Sequence, residues 1–233
     1  MIKFFRTMRR DFIEEGKMLK YFKYAVGETA LVVVGILIAL NINNQNKVRI
    51  DKDAEQNFYS NTKQQLLDDA GNIRGQIQYN NTNGEQFQYA MDIIDKQDRN
   101  QKDSLGRIGL NLLNYSDFDR QGNIYETMVN SGEIKLLQNQ EIIERLRQLE
   151  ETYIYINRME SIHLDVVMEL SPHLIQSISF KSGQVHDEEF LFGFQFQNFF
   201  VLSARIMGEK DAVYHRALDE INELVELLDS EID

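Results

Sequence analysis

The sequence predicts an all-α protein: a single N-terminal transmembrane helix that continues into a long helix, followed by an extracytoplasmic helical bundle. Three observations carry that expectation. Residues 24–42 form a near-continuous apolar run beside a basic flank. Apolar residues recur every three or four positions through most of the remaining chain, the period of a helix with one wet face. Pro occurs once, at Pro172, in 233 residues, which suits long helices rather than a turn-rich fold.

The apolar run reads YAVGETALVVVGILIALNI. At about 1.5 Å per residue it reaches about 28 Å, close to the hydrocarbon thickness of a bilayer. Leu, Ile and Val supply ten of its residues, which together favour insertion by roughly 3–6 kcal/mol. Glu28 opposes this, because an acid at mid-bilayer costs about 2.5–3.5 kcal/mol. It lies only about one turn inside the basic end, where it can snorkel or take a proton at a smaller cost. A cleaved signal peptide fits less well: the charged leader is long, and no small-residue cleavage site precedes the polar NINNQN. A buried core helix would not carry so strong a basic flank.

Charge divides the chain into three segments: 1–23, 24–42 and 43–233. The first holds seven Lys or Arg against three acids, although the whole chain carries −12. The positive-inside rule then places the N-terminus in the cytoplasm and residues 43–233 in the periplasm of a bacterial inner membrane. Within the first 15 residues Met1, Phe5, Met8 and Phe12 share one helical face. Lys3, Arg6, Arg9 and Arg10 gather on another. This pattern predicts a helix lying at the membrane surface. The acidic remainder repels polyanions, so no nucleic-acid partner is expected.

Within the span, Glu28, Gly35 and Ala39 are seven and four residues apart and fall on one stripe. Gly35 and Ala39 form a small-xxx-small pair that admits a second helix. Two readings stay open: a self-associating stripe with Glu28 inside it, or one snorkelling acid with incidental small neighbours.

Beyond the span, Ala54, Phe58, Thr62, Leu66, Ala70, Ile73 and Ile77 extend the helix from Lys47. The NNTNG of residues 80–84 predicts a turn, and Phe87, Ala90, Met91 and Ile94 a second helix. A charged loop is expected at residues 95–103, a short helix at 105–113, a loop at 114–122 and a helix at 123–130 stopped by Ser131 and Gly132. The clearest helix runs from an Asn139 cap to about Leu170, with Pro172 expected to kink or interrupt it. Residues 179–185 read as a loop, and Asp187 as an N-terminal cap. The stretch FLFGFQFQNFF (190–200) is ambiguous, helix or irregular. Its Phe192, Phe194, Phe196, Phe199 and Phe200 are candidates for the core or for an interface. Gly208 is expected to separate it from a last helix, residues 211–228.

No catalytic constellation stands out. Cys is absent, so thiolate and disulfide chemistry is excluded. The four His (His163, His173, His186, His215) form no i,i+4 ligand pair, and neither metal nor cofactor is expected. His163 is expected at a core edge or on the surface. Adjacent acids such as Asp68 with Asp69, Glu150 with Glu151 and Glu188 with Glu189 read as solvated faces. The expected role is a non-enzymatic binding or scaffold module whose partners are the lipid bilayer and either its own copies or other envelope proteins. The alternative is a channel or ion-driven subunit using Glu28.

The segment KYFKYAVGETALVVVGILIALNINN (20–44) resembles a Bacteroidota family of unknown function whose members read KYxxYAxGExxLVVxGILIALxINNWN. Tyr21, Tyr24, Gly27, Glu28, Gly35, Asn43 and Asn44 match, as does the basic, Phe-rich start MIKFFRTMRR. IYETMVNSGEIKLLQN (124–139) is similar to the family's TYxxLxxSGxxxLI stretch. Gln45 stands where the family has Trp, so an interfacial aromatic anchor is lacking there. The resemblance implies a cytoplasmic-membrane protein with a periplasmic domain, and no activity.

Overall fold

The structure, a computed structural model, describes residues 18–120 and 122–232. Lys3, Arg6, Arg9 and Arg10, with the surface helix expected around them, lie outside the described residues. The described chain is all-α: α1 (Met18–Asp95), α2 (Lys102–Asn111), α3 (Ile124–Ser131), α4 (Gln140–Ser177), α5 (Glu188–Leu191) and α6 (Phe194–Glu231), with short 3-10 turns at Arg99–Gln101 and Glu133–Lys135. Among the described residues a single antiparallel bridge joins Ile178 to Val185. The chain divides into two units, one up to Ala54 and one from Glu55.

In the first unit the helix exposes large apolar side chains in every direction. Leu31, Val33, Ile36, Leu37, Ile38 and Leu40 are all open. This is the one helix among the described residues long and apolar enough to cross a membrane.

In the second unit the long helices pack by a period of three to four residues. Arg145 pairs with Glu223, Thr152 donates to Glu220 (3.1 Å), and Tyr214 donates to Glu160 (2.7 Å). The position rises on α4 as it falls on α6, so these two helices are antiparallel. Residues from Glu55 onward in α1 run parallel to α4: Glu55 accepts from the Gln138 amide just before α4, and Asp69 accepts from Tyr153 (3.0 Å). The chain between α1 and α4 must therefore return along the bundle's length. It does so as a fourth, broken column: α2, an irregular segment, then α3.

Two apolar cores fill the unit. Leu66, Ile73, Phe118, Met128, Leu146, Ile156, Ile221 and Leu228 belong to one. Phe87, Leu105, Leu112, Leu170, Leu174, Phe196 and Phe200 belong to the other. Close approach in the second core requires a glycine: a Cβ on Gly109 would lie 2.7 Å from Phe196 Cζ.

The Asn139 and Asp187 caps and the Gly132 stop fall where the sequence places them, and Asn123 is a further cap. Asn139 Oδ1 accepts from the Glu141 and Ile142 amides at the start of α4. Asn123 caps α3 through the Glu126 amide, and Asp187 caps α5 through the Phe190 amide. Gly132 ends α3 in the left-handed region at φ +79°.

Residues 80–84, Pro172 and Gly208 do not interrupt their helices. Residues 80–84 are helix, because their polar side chains serve the helix instead of competing with it. Asn83 and Thr82 donate to carbonyls four residues back, and Asn80 donates across to Asp211 (2.6 Å). Pro172 lies inside α4. The carbonyl it cannot serve, that of Met168, accepts from the Ser171 hydroxyl at 3.2 Å. Gly208 lies inside α6 on its exposed face, between buried Met207 and Lys210. Packing on both sides outweighs its weak helix propensity. The charged stretch 95–103 is only partly loop, since it holds the 3-10 turn and the start of α2.

Candidate functional site

The first candidate region is the exposed apolar helix. Glu28, Gly35 and Ala39 share one stripe of it, and all three are exposed. No atom outside the local helix lies within 4 Å of a Cβ built on Gly35. A second helix could therefore lie directly against this backbone. Thr29 donates to the Ala25 carbonyl at 2.9 Å, which satisfies its hydroxyl without water.

The aromatic stretch divides differently. Phe192, Phe196 and Phe200 are buried in the second core, and Phe199 is half-buried against it. Phe196 meets Phe200 edge-on at 4.9 Å. Phe194 alone of the five is open, at 79% exposure. As an interface the stretch therefore offers one ring in the open and part of another.

The second region is a buried polar layer between the two cores. It forms because the returning column is not helical at residues 114–120. Main-chain groups there have no helical partners, and a buried unpaired one costs about 1–3 kcal/mol. Side chains from all three long helices supply the partners. Lys210 on α6 donates to the Ser116 carbonyl (2.6 Å). Glu160 on α4 accepts from the Phe118 amide (2.7 Å), and Gln76 on α1 from the Asp117 amide (3.1 Å). Glu55 does the same for Gln138 further along, at 2.8 Å.

Burial sets the electrostatics of this layer. Lys210 is 1% exposed, and its ammonium is pushed down to about 8 by desolvation, against the pull of Glu160, Asp117 and Asp211. Burial raises the Glu160 carboxyl, while hydrogen bonds from Tyr214 and the Phe118 amide work the other way. His163 is 1% exposed, and neither ring nitrogen has a hydrogen-bond partner among the described residues. Burial and then the Lys210 charge push it down to about 4. Tyr115 lies between these two groups, its ring 5.7 Å from the His163 ring and 5.6 Å from Lys210 Nζ.

Two expectations change here. His163 is a core residue, because it lies on the inward stripe of α4 with Ile156, Glu160 and Val167. Asp69 is buried beneath Tyr153 and does not face solvent. Glu150 is half-buried and pairs with Arg120 at 2.7 Å. The polar layer had a signal in the sequence: Glu160 and His163 occupy positions of an apolar stripe, as does Lys210 between Met207 and Tyr214. Among the described residues no group of three His or acidic side chains could hold a metal ion.

No known family's sequence profile, no curated protein and no solved structure matches the chain.

Proposed function

We propose that the protein is a membrane-anchored periplasmic scaffold or binding module that associates with its own copies or with other envelope proteins. One observation carries this reading. The residues from Phe22 to Ile42 are apolar on every side and buried against nothing in their own unit, whereas the unit from Glu55 fills two cores of its own. An apolar surface of that size needs lipid or another chain to cover it. The basic leader, Lys3 to Lys23, supports a cytoplasmic N-terminus and a domain on the opposite side. The resemblance of residues 20–44 to Bacteroidota membrane proteins points the same way.

Because the chain has no Cys, single cysteines report association cleanly. Ala39→Cys in native membranes should form a disulfide-linked dimer under mild oxidation, and Ile38→Cys, about 100° around the helix, should not. Equal cross-linking at both positions, or none at either, contradicts self-association through the stripe.

A second reading rests on Glu28, which the helix places on the same stripe as Gly35 and Ala39. A ring of such acids would line an ion path in an oligomer. Glu28→Gln should then abolish ion flux in reconstituted vesicles; unchanged flux, or no flux from the wild type, excludes this reading.

A further inference from the structure

We propose that His163 makes the buried polar layer an acid-operated latch: protonating its ring beside the Lys210 ammonium releases residues 115–118 from the bundle. This does not depend on the membrane reading, since every group involved lies within the unit from Glu55.

The geometry explains why the layer can open locally. Residues 115–118 are held by a few long side chains and not by a helical ladder. Lys210 grips the Ser116 carbonyl, Glu160 the Phe118 amide and Gln76 the Asp117 amide. The Phe118 ring packs 5.3 Å from Tyr153, and Tyr115 covers the Lys210 and His163 pair. Of the side chains of residues 115–118, Phe118 alone belongs to an apolar core.

The groups facing the pair come from each packed element. Helix α4 contributes Glu160, and α6 contributes Asp211 and Tyr214. The returning segment contributes Tyr115 and Asp117, while α1 contributes the uncharged Gln76 and Asn80. Glu160 is engaged by Tyr214 and the Phe118 amide. A proton on His163 therefore meets a like charge with no hydrogen-bond acceptor, in a site closed to water.

The direction follows from linkage. Closed, His163 resists protonation down to about 4; released, it returns to its ordinary 6.5. The released state then binds more protons, so the contribution of His163 to the latch is fully present above about 6.5 and is lost as pH falls towards about 4. Glu160 acts oppositely, because its raised carboxyl favours the closed state in acid. Its hydrogen bonds work against that rise, whereas at His163 burial and the Lys210 charge act in the same direction.

Amide hydrogen exchange on the full chain in lipid nanodiscs tests this, read at Asp117 and Phe118 at pH 7 and pH 5 with the intrinsic rate divided out. Protection at these amides should fall on the order of tenfold at pH 5, while the amide of Leu224 in the first core keeps its protection. His163→Phe preserves a ring against Tyr115 and removes the proton site, so protection should no longer fall at pH 5. Wild-type protection that is equal at both pH values, or an acid loss as large in His163→Phe, overturns the latch. Should that variant not fold, Glu160→Gln removes the opposing carboxyl and should steepen the wild-type response. A flatter response overturns the proposal.

Discussion

Two stretches of α1 differ in which of their faces carry apolar side chains. Between residues 24 and 42 apolar side chains point everywhere, and no period separates a wet face from a dry one. Between residues 59 and 94 burial recurs every three or four positions: Tyr59, Leu66, Ala70, Ile73, then Phe87, Ala90 and Ile94. The helical ladder is common to both, so what differs is only which face must avoid water. A stretch apolar all round has no wet side to offer, which is the pattern that lipid accepts.

The comparison is broken most severely by charges in the first stretch. Val33→Arg together with Leu37→Arg should cost about 2.5–3.5 kcal/mol each on insertion, enough to cancel the gain from the whole run. The double variant should leave the membrane fraction while the circular dichroism of the unit from Glu55 stays unchanged. In the second core, Phe196→Ala should lower unfolding stability by about 3–5 kcal/mol, read by denaturant melts in detergent, with membrane retention intact. Gly109→Ala should cost about 1–3 kcal/mol, because its methyl meets the Phe196 ring. Combined with Phe196→Ala it should cost less than the two changes added, since the clash is gone. Smallest is Asn139→Ala, about 1 kcal/mol from the lost α4 cap, which again should leave membrane association unaffected.

Legibility followed the same division. The apolar run and the Asn139 and Asp187 caps were readable because local residues alone decide them. Residues 80–84 were misread as a turn, and Pro172 does not interrupt its helix, because nearby polar side chains serve the helix. Asn83 and Ser171 spend their side chains on carbonyls of the preceding turn, and Asn80 reaches Asp211, a partner visible only in three dimensions. Gly208 misled because propensity is a weak influence beside packing of its neighbours. The polar layer was hidden by distance. Glu160 and Lys210 serve main chain at Phe118 and Ser116, over forty residues away from either. A Glu or His on an apolar stripe was the available sign, and it needed the irregular returning segment to give it meaning.

Alkaline carbonate washing of native membranes, followed by protease added from the periplasmic side, bears most directly on the anchor. The account predicts that the chain stays with the lipid and that protease removes the part from Glu55 onward. Release of the intact chain into the wash, or a domain that protease reaches only after the membrane is dissolved, would contradict it.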